Sequence, residues 1–146
     1  MRPTLHVHIP PDARHARTVR DALLAFGSLH AVAELDLEAL IFAVGEALAN
    51  AIEHGCPQGG EIDVTVELDS HLISARIADR GRGFRDTPSG YMPLPDGLSE
   101  RGRGLPIMQR CMDLCKVESM PGGGTIVTLG RFRRGMSANQ EQPALS

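Results

Sequence analysis

Two apolar segments separated by three residues constrain the fold of this chain most. In the first segment, apolar residues occupy every second position: Ile62, Val64, Val66 and Leu68. This period is typical of a strand with one buried face. A second apolar segment follows the turn Asp69-Ser70-His71 and extends from 72 to 78. Because so short a connection joins neighbouring strands that run in opposite directions, the sequence predicts an antiparallel hairpin.

The other segments extend this hairpin in the order β-α-α-β-β-loop-α-β-β. The predicted strands are 5–9, 62–68, 72–78, 116–120 and 125–131, and the predicted helices are 12–26, 36–54 and 105–114. Gly27 and Gly55 are the predicted stops of the first two helices. This order predicts an α/β fold, a two-layer α/β sandwich in which helices cover one face of a mixed, mostly antiparallel sheet.

The segment between Asp79 and Gly104 has no sustained period and is rich in Gly, Pro, Arg and Asp. Loops longer than about 12–15 residues in a compact domain are usually functional, and many are lids. We expect a single domain over 1–134 with a lid loop at about 85–101. The polar segment 135–146 is expected to be a flexible C-terminal tail.

Charge is distributed unevenly along the chain. Ten acidic residues and no Lys or Arg lie between Asp21 and Ala75, whereas seven Arg lie between Arg76 and Arg110. The net charge of −3 argues against a nucleic-acid binder that acts through bulk charge. No run approaches the roughly 20 apolar residues of a membrane-spanning helix. Three Cys and no apolar leader favour a reduced, cytoplasmic setting.

The second predicted helix carries a polar stripe. Glu46, Asn50 and His54 are spaced i, i+4 and i+8, at the border of an apolar arc made of Leu40, Val44, Ala47, Leu48, Ala51 and Ile52. A carboxylate and an amide oxygen are hard ligands that suit Mg²⁺, and a carboxylate also serves as a general base. The alternatives are a solvated polar helix face and, for His54, an interaction with the helix dipole.

Two glycine motifs flank the predicted lid. Asp79-Arg80-Gly81-Arg82-Gly83 follows a strand, so Asp79 is placed to accept a hydrogen bond from an exocyclic amine. Gly102-Arg103-Gly104-Leu105 precedes a helix, whose N-terminal N–H groups attract phosphate. Neither motif is a dinucleotide fingerprint or a P-loop. Ordinary turn glycines are the alternative for each motif taken alone.

Taken in order, these motifs resemble the ATP-binding domain of the GHKL superfamily over about residues 5–132. The matching pieces are Glu46-x₃-Asn50, Asp79-x-Gly81-x-Gly83, Gly102-x-Gly104 and Gly124-Thr125. Within that superfamily the chain is most similar to the bacterial anti-sigma factor serine-protein kinases, in its size and in the stretch from Ala47 to Gly55.

The resemblance implies roles for single residues. Glu46 would be the general base that activates the acceptor hydroxyl, and Asn50 would bind Mg²⁺. Asp79 and Thr125 would recognise the adenine amine. The remaining residues that the resemblance assigns to the nucleotide site are His54, Gly81, Gly83, Gly102, Arg103, Gly104 and Leu105. The proline-rich segment 91–95 departs from the pattern of the lid.

The function implied by the resemblance is that of an ATP- and Mg²⁺-dependent serine/threonine kinase. It would bind a sigma factor and phosphorylate an antagonist (anti-anti-sigma) protein, with a homodimer possible and no direct contact with nucleic acid or membrane. A non-catalytic ATP-gated binding module and a detached histidine-kinase catalytic domain are the alternatives. The acidic region 21–75 is the expected surface for a basic sigma-factor domain, so that charge reversal at Glu34, Glu38 or Glu61 weakens the complex.

Overall fold

A computed structural model of the chain describes residues 2–55, 60–79, 111–120 and 124–134. Helices α1 (Ala16–Leu29) and α2 (Glu34–Asn50) are preceded by a 3₁₀ turn (Ala13–His15) and followed by a π-helical turn (Ala51–Gly55). The strands are β1 (Thr4–Ile9), β2 (Ile62–Leu68), β3 (Leu72–Asp79), β4 (Leu114–Ser119) and β5 (Thr125–Phe132). The predicted lid and tail lie outside the described residues. None of the helices in the described ranges is long and apolar enough to cross a membrane.

The five strands form one sheet in the order β1-β2-β3-β5-β4. Each of the four described pairings is antiparallel, and the β2–β3 hairpin pairs Ile62 with Asp79 and Leu68 with Ile73. The predicted two-layer α/β sandwich is thereby confirmed. The described part of the sheet has no parallel pair, although the sequence predicted a mixed sheet.

One face of the sheet is apolar and covered by the two helices. Alternate residues of β2, β3 and β5 are almost completely buried against Val19 and Leu23 of α1 and Leu40, Val44 and Leu48 of α2. Each such aliphatic side chain contributes about 1.5–3 kcal/mol when it leaves water. The opposite face of the sheet carries the polar side chains of the same strands, for example Thr65, Arg76 and Thr128.

The turn of the β2–β3 hairpin is closed by an aspartate. The Oδ1 atom of Asp69 accepts hydrogen bonds from the backbone N–H groups of His71 and Leu72, both at 2.7 Å. These bonds hold the pKa of the Asp69 carboxyl below its ordinary value. The Arg133 guanidinium donates to the Asp69 carbonyl oxygen at 2.7 Å, so the end of β5 also supports the turn. An Asx turn of this kind explains why three residues suffice for the reversal.

The sequence predicted that the first helix ends at Gly27, and this prediction is wrong. Helix α1 continues to Leu29, and Gly27 is buried at the point where α1 meets α2. A Cβ atom at Gly27 would collide with the Leu37 side chain, so the glycine permits close packing of the helices. The chain reverses two residues after the helix, where Ala31 takes the left-handed conformation with φ of 55°.

Two further boundaries differ from the sequence prediction. Regular α-helix in α2 ends at Asn50 and a π-helical turn follows, whereas the predicted helix extended to His54. The predicted helix 105–114 overlaps β4, which begins at Leu114. Cys111 is helical and Cys115 lies in β4, so the two thiols do not share a helix face. Burial raises the pKa of the Cys115 thiol.

A buried ion pair fixes α2 against β5. Asp36, in the first turn of α2, is fully buried, and its Oδ1 atom accepts a hydrogen bond from Nε of Arg131 at 2.9 Å. The same oxygen accepts a longer bond, of 3.3 Å, from the backbone N–H of Arg134. Arg131 also donates from Nη1 to the carbonyl oxygen of Cys111 at 2.9 Å. One guanidinium therefore joins α2, β5 and the segment that enters β4.

We predict that Arg131→Ala lowers the free energy of unfolding by about 3–5 kcal/mol, because it leaves the Asp36 carboxylate buried without its main counter-charge. Urea denaturation of the full chain, followed by circular dichroism, measures the change. Arg14→Ala is the control, since it breaks an exposed pair with Asp12 and is expected to change stability little. Equal effects of the two substitutions would contradict the assignment.

Candidate functional site

Asp79 and Thr125 are direct neighbours at one end of the sheet. Asp79 is the last residue of β3, Thr125 is the first of β5, and the two are register partners. Both side chains are buried, with exposed fractions of 7% and 3%. Facing residues in an antiparallel pair have Cα atoms about 4.5–5.5 Å apart, so the carboxylate and the hydroxyl are borne by neighbouring residues on the buried face of the sheet.

The alternation of β3 explains why a carboxylate is buried at this position. Ile73, Ala75 and Ile77 project toward the helices, and Asp79 is the next residue of the same set. Polar groups are costly to bury unless they make hydrogen bonds. A carboxylate accepts hydrogen bonds and a hydroxyl both donates and accepts, which suits an amine and a ring nitrogen of a purine base.

Glu46 and Asn50 lie on α2 between its buried and exposed faces. Both are half-buried, whereas Ala47 and Leu48 are buried and Gly45 and Ala49 are exposed. The sequence predicted this border position from the helical period, and the burial of the helix confirms it. The i, i+4 spacing places the carboxylate and the amide one above the other on the same side of the helix.

The ion pair of Asp36 with Arg131 determines which end of the sheet these two residues approach. Helix α2 contacts both β3 and β5, and its first turn is held at the far end of β5. From Asp36 to Asn50 the helix rises about 21 Å, and from Arg131 back to Thr125 the strand spans about 20 Å. Because the two lengths match and the helix contacts both strands, we infer that Asn50 lies toward the end of the sheet that holds Asp79 and Thr125.

The chain changes its helical form directly after Asn50. The turn Ala51–Gly55 is π-helical, with wider i→i+5 hydrogen bonding. The α-helical spacing that extended the stripe to His54 therefore does not apply to this turn. His54 belongs to the turn by its backbone, and its side chain lies outside what the structure describes. Single π-helical turns are frequent at functional sites.

Six residues of the predicted nucleotide site lie outside the described residues: Gly81, Gly83, Gly102, Arg103, Gly104 and Leu105. The same holds for Arg82, Arg85 and Arg101, three of the seven Arg that the sequence places between Arg76 and Arg110. Four predicted site residues lie within the described structure with their side chains, namely Glu46, Asn50, Asp79 and Thr125.

The sequence analysis missed the Asp36–Arg131 pair that orients the site. A signal for it was present, because Asp36 precedes Leu40, Ala43 and Ala47 by four, seven and eleven residues. These spacings place an acidic residue on the buried arc of the helix, where it requires a buried partner.

The chain belongs to the histidine kinase-like ATPase domain family, which it matches over residues 9–131. This range includes Glu46 and Asn50 on α2 as well as Asp79 and Thr125 on the sheet. Membership in a family of ATPase domains implies that ATP is the nucleotide bound.

Several curated relatives are named anti-sigma F factor. That of Pasteuria penetrans is 36% identical over 90 residues, which are 58% of this chain and 60% of the relative. That of Thermoanaerobacter sp. (strain X514) is 35% identical over 94 residues, 62% of this chain and 66% of the relative. That of Bacillus subtilis (strain 168) is 35% identical over 92 residues, 59% of this chain and 62% of the relative. The chain thus spans 60–66% of the length of these relatives.

A solved structure with a similar fold contains the RsbU and RsbW domains of a Mycobacterium tuberculosis protein. The similarity has a TM-score of 0.68 with 25% sequence identity, and it covers 90% of this chain and 33% of that one. The sandwich described above is therefore the same fold that this structure contains.

We predict that Asp79→Asn weakens binding of ATP by at least about tenfold, because the substitution removes the charged acceptor and offers a donor to the amine. Isothermal titration calorimetry with ATP measures the effect. Asp63→Asn is the matched control, since Asp63 lies on the opposite face of the same sheet, beside Ala78. An unchanged affinity in the Asp79 variant would remove Asp79 from the site.

Proposed function

We propose that this chain is an ATP-dependent anti-sigma factor kinase, which binds a sigma factor and phosphorylates a Ser or Thr of an antagonist protein. Two polar pairs support the proposal: Asp79 and Thr125 are register partners at one end of the sheet, and Glu46 and Asn50 lie one turn apart at the border of the buried face of α2. Asp79 and Thr125 suit a base, whereas Glu46 and Asn50 suit the phosphoryl end of a nucleotide. The relatives named anti-sigma F factor support the choice of partner.

In the proposed reaction the hydroxyl oxygen of the acceptor attacks the γ-phosphorus of ATP. The bond from that phosphorus to the bridging oxygen breaks, and ADP leaves with the electron pair. The Glu46 carboxylate receives the hydroxyl proton, which a half-buried carboxylate at the border of the site is placed to do. Phosphoryl transfer otherwise depends mainly on positioning and on stabilisation of charge.

Asn50 is the residue proposed to hold Mg²⁺. Its amide oxygen is a hard ligand, and Mg²⁺ is ordinarily bound through one or two protein groups together with phosphate oxygens and water. When bound, the ion neutralises charge on the phosphates. The half-buried position of Asn50, one turn after Glu46, fits such a shared site.

Glu46→Gln is predicted to lower phosphoryl transfer about 10²–10⁴-fold and to leave ATP affinity within about threefold, because the substitution removes the base and keeps the side-chain shape. Single-turnover transfer from γ-labelled ATP measures the rate, with purified anti-anti-sigma proteins of the source genome as acceptors. Glu118→Gln, on the outer face of β4, is the control.

Two outcomes would contradict the kinase proposal. Equal transfer rates for the wild type and the Glu46 variant would show that Glu46 is not the base. Binding of ATP and of a partner without transfer to any acceptor of the panel would favour the non-catalytic, ATP-gated binding module.

The anti-sigma part of the proposal is tested separately. Immobilised full-length chain is presented with each purified sigma factor of the source genome, with and without ATP and Mg²⁺. We expect at least one sigma factor to bind. Its affinity is expected to be at least about tenfold higher when nucleotide is present, which corresponds to a coupling free energy of about 1.4 kcal/mol between the nucleotide and the sigma factor. If no sigma factor binds, the anti-sigma part of the proposal is contradicted.

A further inference from the structure

The outward face of α2 has features that the proposed catalytic site does not use. Five residues at positions i, i+3, i+7, i+10 and i+14 are all exposed: Leu35, Glu38, Phe42, Gly45 and Ala49. Leu35 is 71% exposed and Phe42 is 48% exposed. These five residues are called the α2 seam. Their spacing is the a/d spacing with which one helix packs along another.

Helix α2 is apolar on two sides. Its inward face, which includes Leu40, Val44 and Leu48, forms part of the core. Large apolar side chains that share one exposed helix face commonly mark an interaction site. The exposure of Phe42 and Leu35 therefore leaves the packing of α2 incomplete within this chain.

Gly45 is an independent sign of a partner. Glycine in the interior of a helix is less favourable than alanine, so its presence requires a reason. At Gly27 the reason is the Leu37 side chain, and at Gly130 it is Leu114, which a Cβ would approach to 3.0 Å. At Gly45 a Cβ would have no atom of the described structure within 4 Å. The missing side chain leaves a hollow beside the exposed ring of Phe42.

The charges around the seam restrict which kind of partner can fill this hollow. Glu34 and Glu38 are exposed on or beside the seam, and the sequence has no Lys or Arg between Asp21 and Ala75. An apolar seam with carboxylates along it is complementary to a helix whose apolar stripe is flanked by Lys and Arg. Proteins that bind DNA carry Lys and Arg that neutralise backbone phosphates, so a DNA-binding partner is expected to offer such a helix.

We propose that the α2 seam is the docking surface for a basic amphipathic helix of the sigma factor, with Phe42 as its apolar anchor and Gly45 as the point of closest approach. The seam from Leu35 to Ala49 is about 21 Å long, enough for about four turns of the docked helix. This inference rests on the proposed anti-sigma function.

The test uses the full-length chain and the sigma factor that the wild type binds in the panel described above. Phe42→Ala is expected to weaken binding at least tenfold, as for a central aromatic anchor. Gly45→Ala is expected to weaken it about tenfold, because a methyl group fills the hollow. Leu114→Ala is the matched control, since Leu114 is 50% exposed and its register places it on the opposite face of the sheet.

Thermal unfolding separates docking from a structural role. Gly45→Ala is expected to keep or raise the melting temperature, because alanine favours the helix and no described atom obstructs it. A loss of sigma binding in a variant that is at least as stable as the wild type therefore supports the proposal. The ATP affinity of each seam variant is expected to remain within about threefold of the wild type.

Three results would overturn the proposal. The first is that both seam variants bind the sigma factor as tightly as the wild type does. This result would contradict the docking surface but not the anti-sigma function. The second is equal weakening by Leu114→Ala. The third is a change of oligomeric state in sedimentation without a change in sigma binding, because it would assign the seam to a second copy of this chain. Failure of the wild type to bind any sigma factor would instead contradict the function itself.

Discussion

The buried contact between Asp36 and Arg131 is the interaction on which the arrangement of this domain depends. A fully buried carboxylate is stable only when it is paired, and here the charged hydrogen bond of 2.9 Å comes from a strand 95 residues away in sequence. The same guanidinium binds the carbonyl oxygen of Cys111, just before β4. One side chain therefore holds the first turn of α2 against β5 and fixes the position of Cys111, three residues before β4.

The candidate site follows from this contact. With its first turn held at the end of β5, the helix brings Asn50 to the other end of the sheet, where β3 ends and β5 begins. Asp79 and Thr125 are register partners there, buried by the same alternation that builds the core. The pair Asp79–Thr125 on the sheet and the pair Glu46–Asn50 on the helix are thus positioned by ordinary packing rules. The outward side of the same helix remains available for a partner.

Local patterns predicted much of this structure. Strand β2 has the predicted bounds because its alternation is unbroken, and the border positions of Glu46 and Asn50 follow from the helical period. The errors have non-local causes. Gly27 looks like a helix stop in sequence, but it is required by the Leu37 side chain of the next helix. The predicted strand 116–120 begins two residues earlier, at Leu114, because Leu114 pairs with Gly130 and Cys115 with Leu129, which local patterns cannot reveal. The Asp36–Arg131 pair was missed because its partners are distant in sequence.

If both polar pairs bind one nucleotide, a crystal structure of the full chain with Mg²⁺ and a non-hydrolysable ATP analogue will show them at its two ends. We expect the adenine amine about 3 Å from a carboxylate oxygen of Asp79, beside Thr125, and the metal bound to the amide oxygen of Asn50. A nucleotide whose base is bound away from the junction of β3 and β5, or whose phosphates lie away from Glu46 and Asn50, would contradict this expectation.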